Sequence, residues 1–392
     1  MTRAFPWADR MIGCPHDLVY HAEGDPWVHT CMVADTLEAD DGFPELDPHR
    51  RHALRLAAWF HDIAKPHTTV VEWCAREGRE RVRQPNHAPM GARMAWQALL
   101  DAGAAPELAR DVHGLVFWHQ RPGHMPEQKN TTRRILLFAS QVTGVTWSDL
   151  LRLCRSDQMG RISPNVAEGL ETLQLAEMMV REEGEGAGVD LLRNPWPFAS
   201  AEARLRYFGG KPDASPWYTP PQDDRQPRMA LMSGLPGAGK NSLIEEHLPG
   251  LPVVELDAIR RGLGIPPDGN QGQVIQAAIE AARGYLRKGQ SFVWNATCLS
   301  VQARQKPVSL ARDYGFAVDA YSFDIPLAVA RARNAARPDP VPEGVMDRMA
   351  MRREPVGVEE ASRIHSVDIE GRITCLIGDP ALSQAPDVCP AP

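Results

Sequence analysis

The sequence predicts a multidomain protein of class α plus α/β, with an all-helical N-terminal part and a C-terminal part built on a parallel sheet flanked by helices. Three observations predict it. A chain of 392 residues, at roughly 150 per domain, holds two or three domains. From residue 27 to about 182, apolar residues recur at three and four spacings and strand-like alternation is scarce. From Arg228 onward, short apolar runs alternate with helical stretches, which is the pattern of strands joined by crossover helices. No internal repeat links the two parts, so they are different folds.

Composition narrows the classes. Hydrophobic residues make up 43% and charged residues 24%, enough apolar surface for ordinary cores, which excludes a disordered chain or a disulfide scaffold. The net charge of −7 argues against a sequence-independent nucleic-acid coat or a polybasic membrane anchor, while leaving room for a local grip on one strand end. Six of the 43 basic residues are lysines, so a lysine at a chemically meaningful place stands out. The seven cysteines are odd in number and lack CxxC spacing, as expected of reduced thiols. Residues 1–17 show no apolar signal core, and no stretch approaches the length of a membrane span. The expectation is a soluble cytoplasmic protein with no membrane partner.

Taken in order, the elements are these. Helices are expected over 50–60, 88–100 and 107–119. A glycine- and glutamate-rich stretch, 181–188, and a proline- and aspartate-rich one, 211–228, mark a connection with a little ordered structure around 191–208. The expected division is therefore 1–182, a connection over 183–227, and 228–392. In the last part, strands are expected over 229–232, 252–256, 291–296, 317–323 and 373–377, with helices such as 242–248 and 273–287 between them.

The helical part carries His29, then His61-Asp62, then His87, His119 and Asp157. Any one of these histidines is ordinarily a satisfied core or surface residue. In this order, on a helical frame, imidazoles and carboxylates suit borderline and hard divalent ions. His113 competes with His119, which stands in Trp118-His119-Gln120-Arg121-Pro122.

In the second part, Gly234-Leu235-Pro236-Gly237-Ala238-Gly239-Lys240 follows an expected strand and leads into a helix. Such glycines let successive N–H groups curl around an anion, the helix N-terminus adds its positive end, and the lysine reaches the outer phosphates. Gly234, Gly237, Ala238, Gly239, Lys240, Asn241 and Ser242 are thus the expected nucleotide-binding residues. The motif asks for Ser or Thr after the lysine to meet Mg²⁺; here Asn241 comes first and Ser242 second, leaving the ligand open between them. Asp257, at the end of the second strand, is placed to accept a proton from an attacking hydroxyl, with Arg260 one turn on. Arg333 and Arg337 stand four apart, as arginines that neutralise a phosphoryl in flight would.

Gly-x-Pro-Gly-x-Gly-Lys, Asp257-x-x-Arg260, Trp294-Asn295-Ala296-Thr297 and Arg333-Asn334-x-x-Arg337 followed by Val341-Pro342 together resemble the polynucleotide 5′-kinase family over roughly 228–370. Cys298 departs from it, standing where relatives often carry Asn. The resemblance implies that Lys240 binds the phosphates of ATP or another NTP with Mg²⁺, Asp257 is the general base for a 5′-OH, Arg260 grips the acceptor phosphate, and Arg333 and Arg337 contact the donor. The stretch 351–360 resembles the one that closes on the nucleobase.

The helical part resembles the HD phosphohydrolase superfamily over roughly 15–180, through His21-x-Glu-Gly-Asp and His61-Asp62-x-x-Lys65-Pro66 as in the HD domains of tRNA nucleotidyltransferases. That resemblance implies one metal held by His29, His61, Asp62 and Asp157, and a second completed by His87 and His119 with Asp62 bridging. Lys65 would hold a substrate oxygen. The order of the two parts resembles the bacterial HD–polynucleotide kinase enzymes of RNA end healing. It implies a bifunctional enzyme that phosphorylates 5′-OH ends from an NTP and hydrolyses 2′,3′-cyclic, 2′- or 3′-phosphate ends with one or two divalent transition metals such as Mn²⁺, Ni²⁺ or Co²⁺. Its partners would be broken RNA or DNA ends and an RNA ligase acting downstream. Two other classes compete. One is a nucleotide-metabolism enzyme pairing a nucleotide phosphohydrolase with a small-molecule or nucleoside kinase; Asp257-x-x-Arg260 favours a phosphate-bearing acceptor instead. The other is a ligand sensor controlling a kinase, which would not need a full ligand set.

Overall fold

The computed structural model describes residues 7–209, 215–217, 226–266 and 269–378. Residues 210–214 and 218–225 of the expected connection, with Lys211, Pro212, Pro220 and Pro221, lie outside them, as do 1–6, 267–268 and 379–392. The chain divides into two compact units, Met1–Trp196 and Pro197–Pro392.

The first unit is helical: α1 (Ala8–Met11), α2 (Pro26–Glu38), α3 (Pro48–Phe60), α4 (Lys65–Thr68), α5 (His87–Asp101), α6 (Pro106–Trp118), α7 (Thr131–Gln141), α8 (Trp147–Met159) and α9 (Val166–Glu185). Local chemistry sets where the long helices start. Asp25 and Asp47 each accept a hydrogen bond from the N–H three residues on, with proline at the first helical position of α2 and α3. Thr146 and Asp149 form a reciprocal capping box for α8. Inside, Trp118, Phe138 and Trp147 meet edge to face at 4.9–6.5 Å, joining α6, α7 and α8. Burying such side chains contributes roughly 1.5–3 kcal/mol each.

One feature departs from the all-helical expectation. Strands β1 (Val70–Cys74) and β2 (Arg79–Arg83) form an antiparallel hairpin, closed by a turn in which Gly78 takes φ +64°. Arginines and glutamates fill half of its positions, which hid its alternation among polar residues.

The second unit holds α10 (Ala201–Gly209), then β3 (Arg228–Ser233), α11 (Lys240–His247), β4 (Val253–Glu255), α12 (Leu256–Gly262), α13 (Gln271–Leu286), β5 (Phe292–Asn295), α14 (Val301–Asp313), β6 (Ala317–Phe323), α15 (Leu327–Ala335), α16 (Glu343–Met351), β7 (Arg363–Val367) and β8 (Ile373–Ile377). The sheet order is β4-β5-β3-β6-β7-β8. All neighbours are parallel except β7 and β8, so the expected parallel sheet has an antiparallel edge. β7 escaped the sequence reading because Arg363, His365 and Ser366 break its apolar run. β3 lies at the centre, with β5 and β6 on either side. Its following loop therefore opens at the point where strand order reverses, the place where open α/β sheets bind ligands.

Within the expected connection, 183–227, the residues described up to Gly209 are ordered. α9 runs on to Glu185, Leu191, Leu192 and Trp196 are buried, and α10 is held by Arg204, whose guanidinium donates to the carbonyls of Ser362 and Gly378. Among the described residues no helix is long and apolar enough to cross a membrane.

Candidate functional sites

In the first unit, Asp62 stands immediately after the end of α3 and is almost wholly buried. Four histidines converge on it or beside it from α2, the α3 terminus, α5 and the α6 terminus. His61 Nε2 lies 3.2 Å and His29 Nε2 3.8 Å from Asp62 Oδ2, while His87 Nε2 lies 3.3 Å from Oδ1. The outward nitrogens fix the tautomers. His61, His87 and His119 place Nδ1 at 2.8, 2.7 and 2.6 Å from the carbonyls of Ala58, Gln84 and Val116. A carbonyl only accepts, so Nδ1 carries the proton and Nε2 keeps its lone pair. His29 Nδ1 likewise faces Gly160 O and the Glu23 carboxylate, both at 3.1 Å.

The result is two groups whose ligand atoms lie within 4.8 Å of one another: His29, His61 and Asp62, and Asp62, His87 and His119. Asp62 belongs to both. His61 Nε2 and His87 Nε2 are buried without a hydrogen-bond partner, both aimed at the Asp62 carboxylate. Buried polar atoms are rarely left so, because each orphan costs on the order of 1–3 kcal/mol. A converging set of lone-pair donors in that state fits divalent cations. The residues present therefore fit the metals that the sequence reading called for. Burial, and then the neighbouring His61 and His87, push the His119 imidazole down to about 3. Burial raises the Asp62 carboxyl, but His61 and Lys65 outweigh it and hold it well below the usual carboxylate range.

Asp157, on α8, stands one step out. Its Oδ1 lies 3.0 Å from His29 Nε2 and takes the Arg161 guanidinium at 2.5 Å. Lys65 Nζ turns back to Asp62 Oδ2 at 2.6 Å and to His16 Nε2 at 2.8 Å. His113 lies elsewhere, stacked on Phe117 at 5.9 Å and edge-on to Trp96. The sequence reading did not single out Arg161 or His16. Arg161, four residues after Asp157, was legible as a same-face pair; His16, forty-nine residues from Lys65, was not. His16, His21 and Glu23 also cluster, but the two rings stack face to face at 3.9 Å and 13°. Parallel stacked imidazoles direct their in-plane lone pairs side by side and cannot converge on one ion, so this group supports His29 and Lys65 instead.

In the second unit the loop after β3 has the curl the motif requires. Gly237 and Gly239 adopt φ +77° and +101°, open to glycine at little cost. At Gly237 a Cβ would meet Ala330 O at 2.4 Å, so α15 packs directly on the loop. Lys240 Nζ donates to Gly234 O at 3.0 Å and Leu235 O at 2.9 Å. Burial lowers its ammonium to about 8, the nearby Asp257 acting against that and Arg337 with it. Asp257 lies in the first turn of α12, half exposed, 3.0 Å from the Arg260 guanidinium.

Arg333 projects beside Gly239 and donates to Ile369 O at 2.5 Å. α15 ends at Ala335, so Arg337 does not extend its face as expected but lies in the turn beyond. Asn334 locks that turn through both its amide atoms to Val341. Asn241 Oδ1 accepts from Asn295 Nδ2 at 2.9 Å, and Ser242 is exposed. The stretch 354–360 is pinned by the fully buried Arg304, which bonds the carbonyls of Glu354 and Pro355 and both carboxylate oxygens of Glu360. Sequence reading missed this arginine because those partners lie fifty or more residues further along the chain.

Residues 229–356, from the central strand to the start of this pinned stretch, match the model of the family described as AAA domain. Solved structures similar to this chain include a protein assigned as a kinase from Chloroflexus aurantiacus j-10-fl, 18% identical over 36% of this chain and 88% of that one, with a TM-score of 0.30. A gluconokinase from Sinorhizobium meliloti 1021 is 21% identical over 37% of this chain and 84% of that one, with a TM-score of 0.28. No curated protein matches. The loop, the central strand and the family match make the C-terminal region a P-loop kinase-like domain, a phosphotransferase fold that implies ATP and Mg²⁺.

Proposed function

We propose that the chain is a bifunctional enzyme that heals broken RNA ends, its second unit phosphorylating 5′-OH ends and its first, an HD-type phosphohydrolase, removing 2′,3′-cyclic, 2′- or 3′-phosphates. The observation that carries the reading is the sharing of Asp62 between two buried histidine groups in a chain that also holds a phosphate-binding loop. Neither feature alone calls for a substrate with two damaged ends.

In the first unit, His29, His61, Asp62 and Asp157 would hold one metal, and Asp62, His87 and His119 a second. Bound there, such ions supply a hydroxide at neutral pH and offset charge on the phosphoester. The chain's own groups do the rest. The four Nδ1–H bonds keep the imidazoles aimed inward, and Lys65 and Arg161 offer cations to phosphate oxygens once released from the carboxylates they hold. In the second unit, Lys240 and the loop N–H groups bind the outer phosphates. Asp257 takes the proton from the attacking 5′-OH, Arg260 orients it and the acceptor phosphate, and Arg333 and Arg337 meet charge on the transferring phosphoryl.

The test is one RNA strand carrying a 5′-OH and a 2′,3′-cyclic phosphate, incubated with ATP, Mg²⁺ and Mn²⁺, Ni²⁺ or Co²⁺, and scored at both ends. Both ends are expected to be healed. Asp257→Ala should stop 5′ phosphorylation alone. Asp62→Ala should stop cyclic-end hydrolysis alone and strip bound metal, read by elemental analysis. Phosphorylation of a sugar or nucleoside in place of the strand, or full hydrolysis by Asp62→Ala, would overturn the reading.

A further inference from the structure

The β1–β2 hairpin contributes no residue to either site, yet both of its roots grow out of the Asp62 cluster. β1 begins five residues after Lys65, and β2 ends four residues before His87. Strand alternation gives the hairpin two different faces. Val70, Glu72 and Cys74, opposite Arg83, Arg81 and Arg79, form one of them. That face is tied down: Arg79 and Arg81 reach Asp17 at 3.1 and 3.5 Å, and the Arg81 guanidinium lies 5.2 Å from the centre of the Tyr20 ring. A two-stranded ribbon is marginal by itself, and these contacts give it a fixed seat.

The other face carries Val71 and Trp73, opposite Val82 and Glu80. Trp73 is 67% exposed and Val71 57%. An indole in water contributes nothing to the fold of a hairpin that is anchored from its opposite side, so this residue has the marks of a contact for something else. The patch is too small for a stable protein interface, which takes roughly 800 Å² per partner. A flat aromatic is instead the usual platform for an unpaired base, which stacks on it whatever its identity. Arg76, exposed in the turn three residues after Trp73, offers a cation to the strand, while Arg79, Arg81 and Arg83 lie on the other face paired with Asp17 and Glu72. Trp73 lies three residues along β1, about 10 Å from the start of a strand that leaves the cluster five residues after Lys65.

We propose that the Trp73 face of the hairpin is a stacking platform for single-stranded RNA, holding the nucleotides that precede the 3′ end presented to the Asp62 cluster. The inference rests on the reading of that cluster as an RNA 3′-end phosphoesterase and adds how a strand is told from a free nucleotide.

The full chain with Mn²⁺ is assayed on a 2′,3′-cyclic mononucleotide and on a 5′-phosphorylated single-stranded RNA with the same end. Trp73→Ala should raise KM for the RNA roughly 5- to 100-fold, the range that one lost base–aromatic stack implies. It should leave kcat, and both constants for the mononucleotide, at wild-type values, and Trp73→Phe should keep most of the affinity. An unchanged KM for the RNA, or an equal rise for both substrates, overturns the platform. So does a self-associating wild type that Trp73→Ala makes monomeric without touching RNA affinity, which would give the face to a second copy of the chain. RNA binding followed by fluorescence anisotropy separates the two readings. A chain that binds RNA through Trp73 without hydrolysing it overturns the phosphoesterase alone. Hydrolysis indifferent to Trp73 overturns the platform alone, and a chain that neither binds nor cleaves RNA overturns both.

Discussion

Lys240 shows how much one residue's surroundings decide. Its motif position assigns it to the phosphates, but only the folded loop shows that burial lowers its ammonium to about 8. The sign follows directly. In the free protein Lys240 loses its proton as pH rises through about 8, so the positive charge that meets ATP fades there. ATP affinity, measured by calorimetry, should weaken above pH 8 in the wild type and stay flatter in Lys240→Arg, whose guanidinium remains charged. Stability of the free protein should move the other way. Between about 8 and the ordinary lysine value the unfolded chain keeps a proton the folded one has released, so stability rises with pH across that window. A wild-type ATP affinity flat from pH 7 to 9.5, or a Lys240→Arg that falls equally, would contradict this. The same contrast between motif and environment separates His119 from His113. The sequence offered both on one helical stretch and favoured His119 by resemblance alone. Six residues at about 100° each turn them to different sides of α6, and only His119 faces Asp62.

At the scale of elements, legibility followed apolar pattern. The central strands of the sheet read clearly because they are buried on both faces, as β3 and β6 show. β7 and the β1–β2 hairpin did not, because charged and polar residues occupy positions whose neighbours supply the partners: Arg363 finds Asp319, and Arg79 finds Asp17. Nor does sequence reveal how α15 meets the phosphate-binding loop, since that contact joins segments some ninety residues apart. Gly237 is where they touch. Gly237→Ala would force an L-residue into φ +77°, costing roughly 1–2 kcal/mol, and would drive its methyl into the Ala330 carbonyl. The expected outcome is a folded protein with ATP binding weakened at least tenfold and a lower unfolding temperature for the second unit alone. Wild-type ATP affinity in this variant would show that α15 can yield, and that the close packing does not set the loop's shape.

Across the whole molecule, the charged and metal-ligating residues are gathered into two sets with no member in common. The Asp62 cluster and its supports, from His16 to Arg161, lie within Met1–Trp196; the loop, Asp257, Arg260, Arg333 and Arg337 lie within Pro197–Pro392. The net charge of −7 thus hides two local concentrations of cations, Lys65 with Arg161 in one unit and Lys240, Arg260, Arg333 and Arg337 in the other. Sites without shared partners are expected to act additively. Lys240→Ala should abolish 5′ phosphorylation and leave kcat and KM for cyclic-end hydrolysis unchanged. His61→Ala should do the converse, and the double variant should lack both activities without further loss of stability beyond the sum of the two. Mixing the two single variants on the doubly blocked RNA then decides whether healing is sequential. If each chain acts on its own end and releases the strand, the mixture should heal both ends as fully as the wild type at the same total number of active sites. A mixture that heals only one end per strand would instead require both sites on one chain to hold the same RNA, and the two units would then have to be treated as one machine.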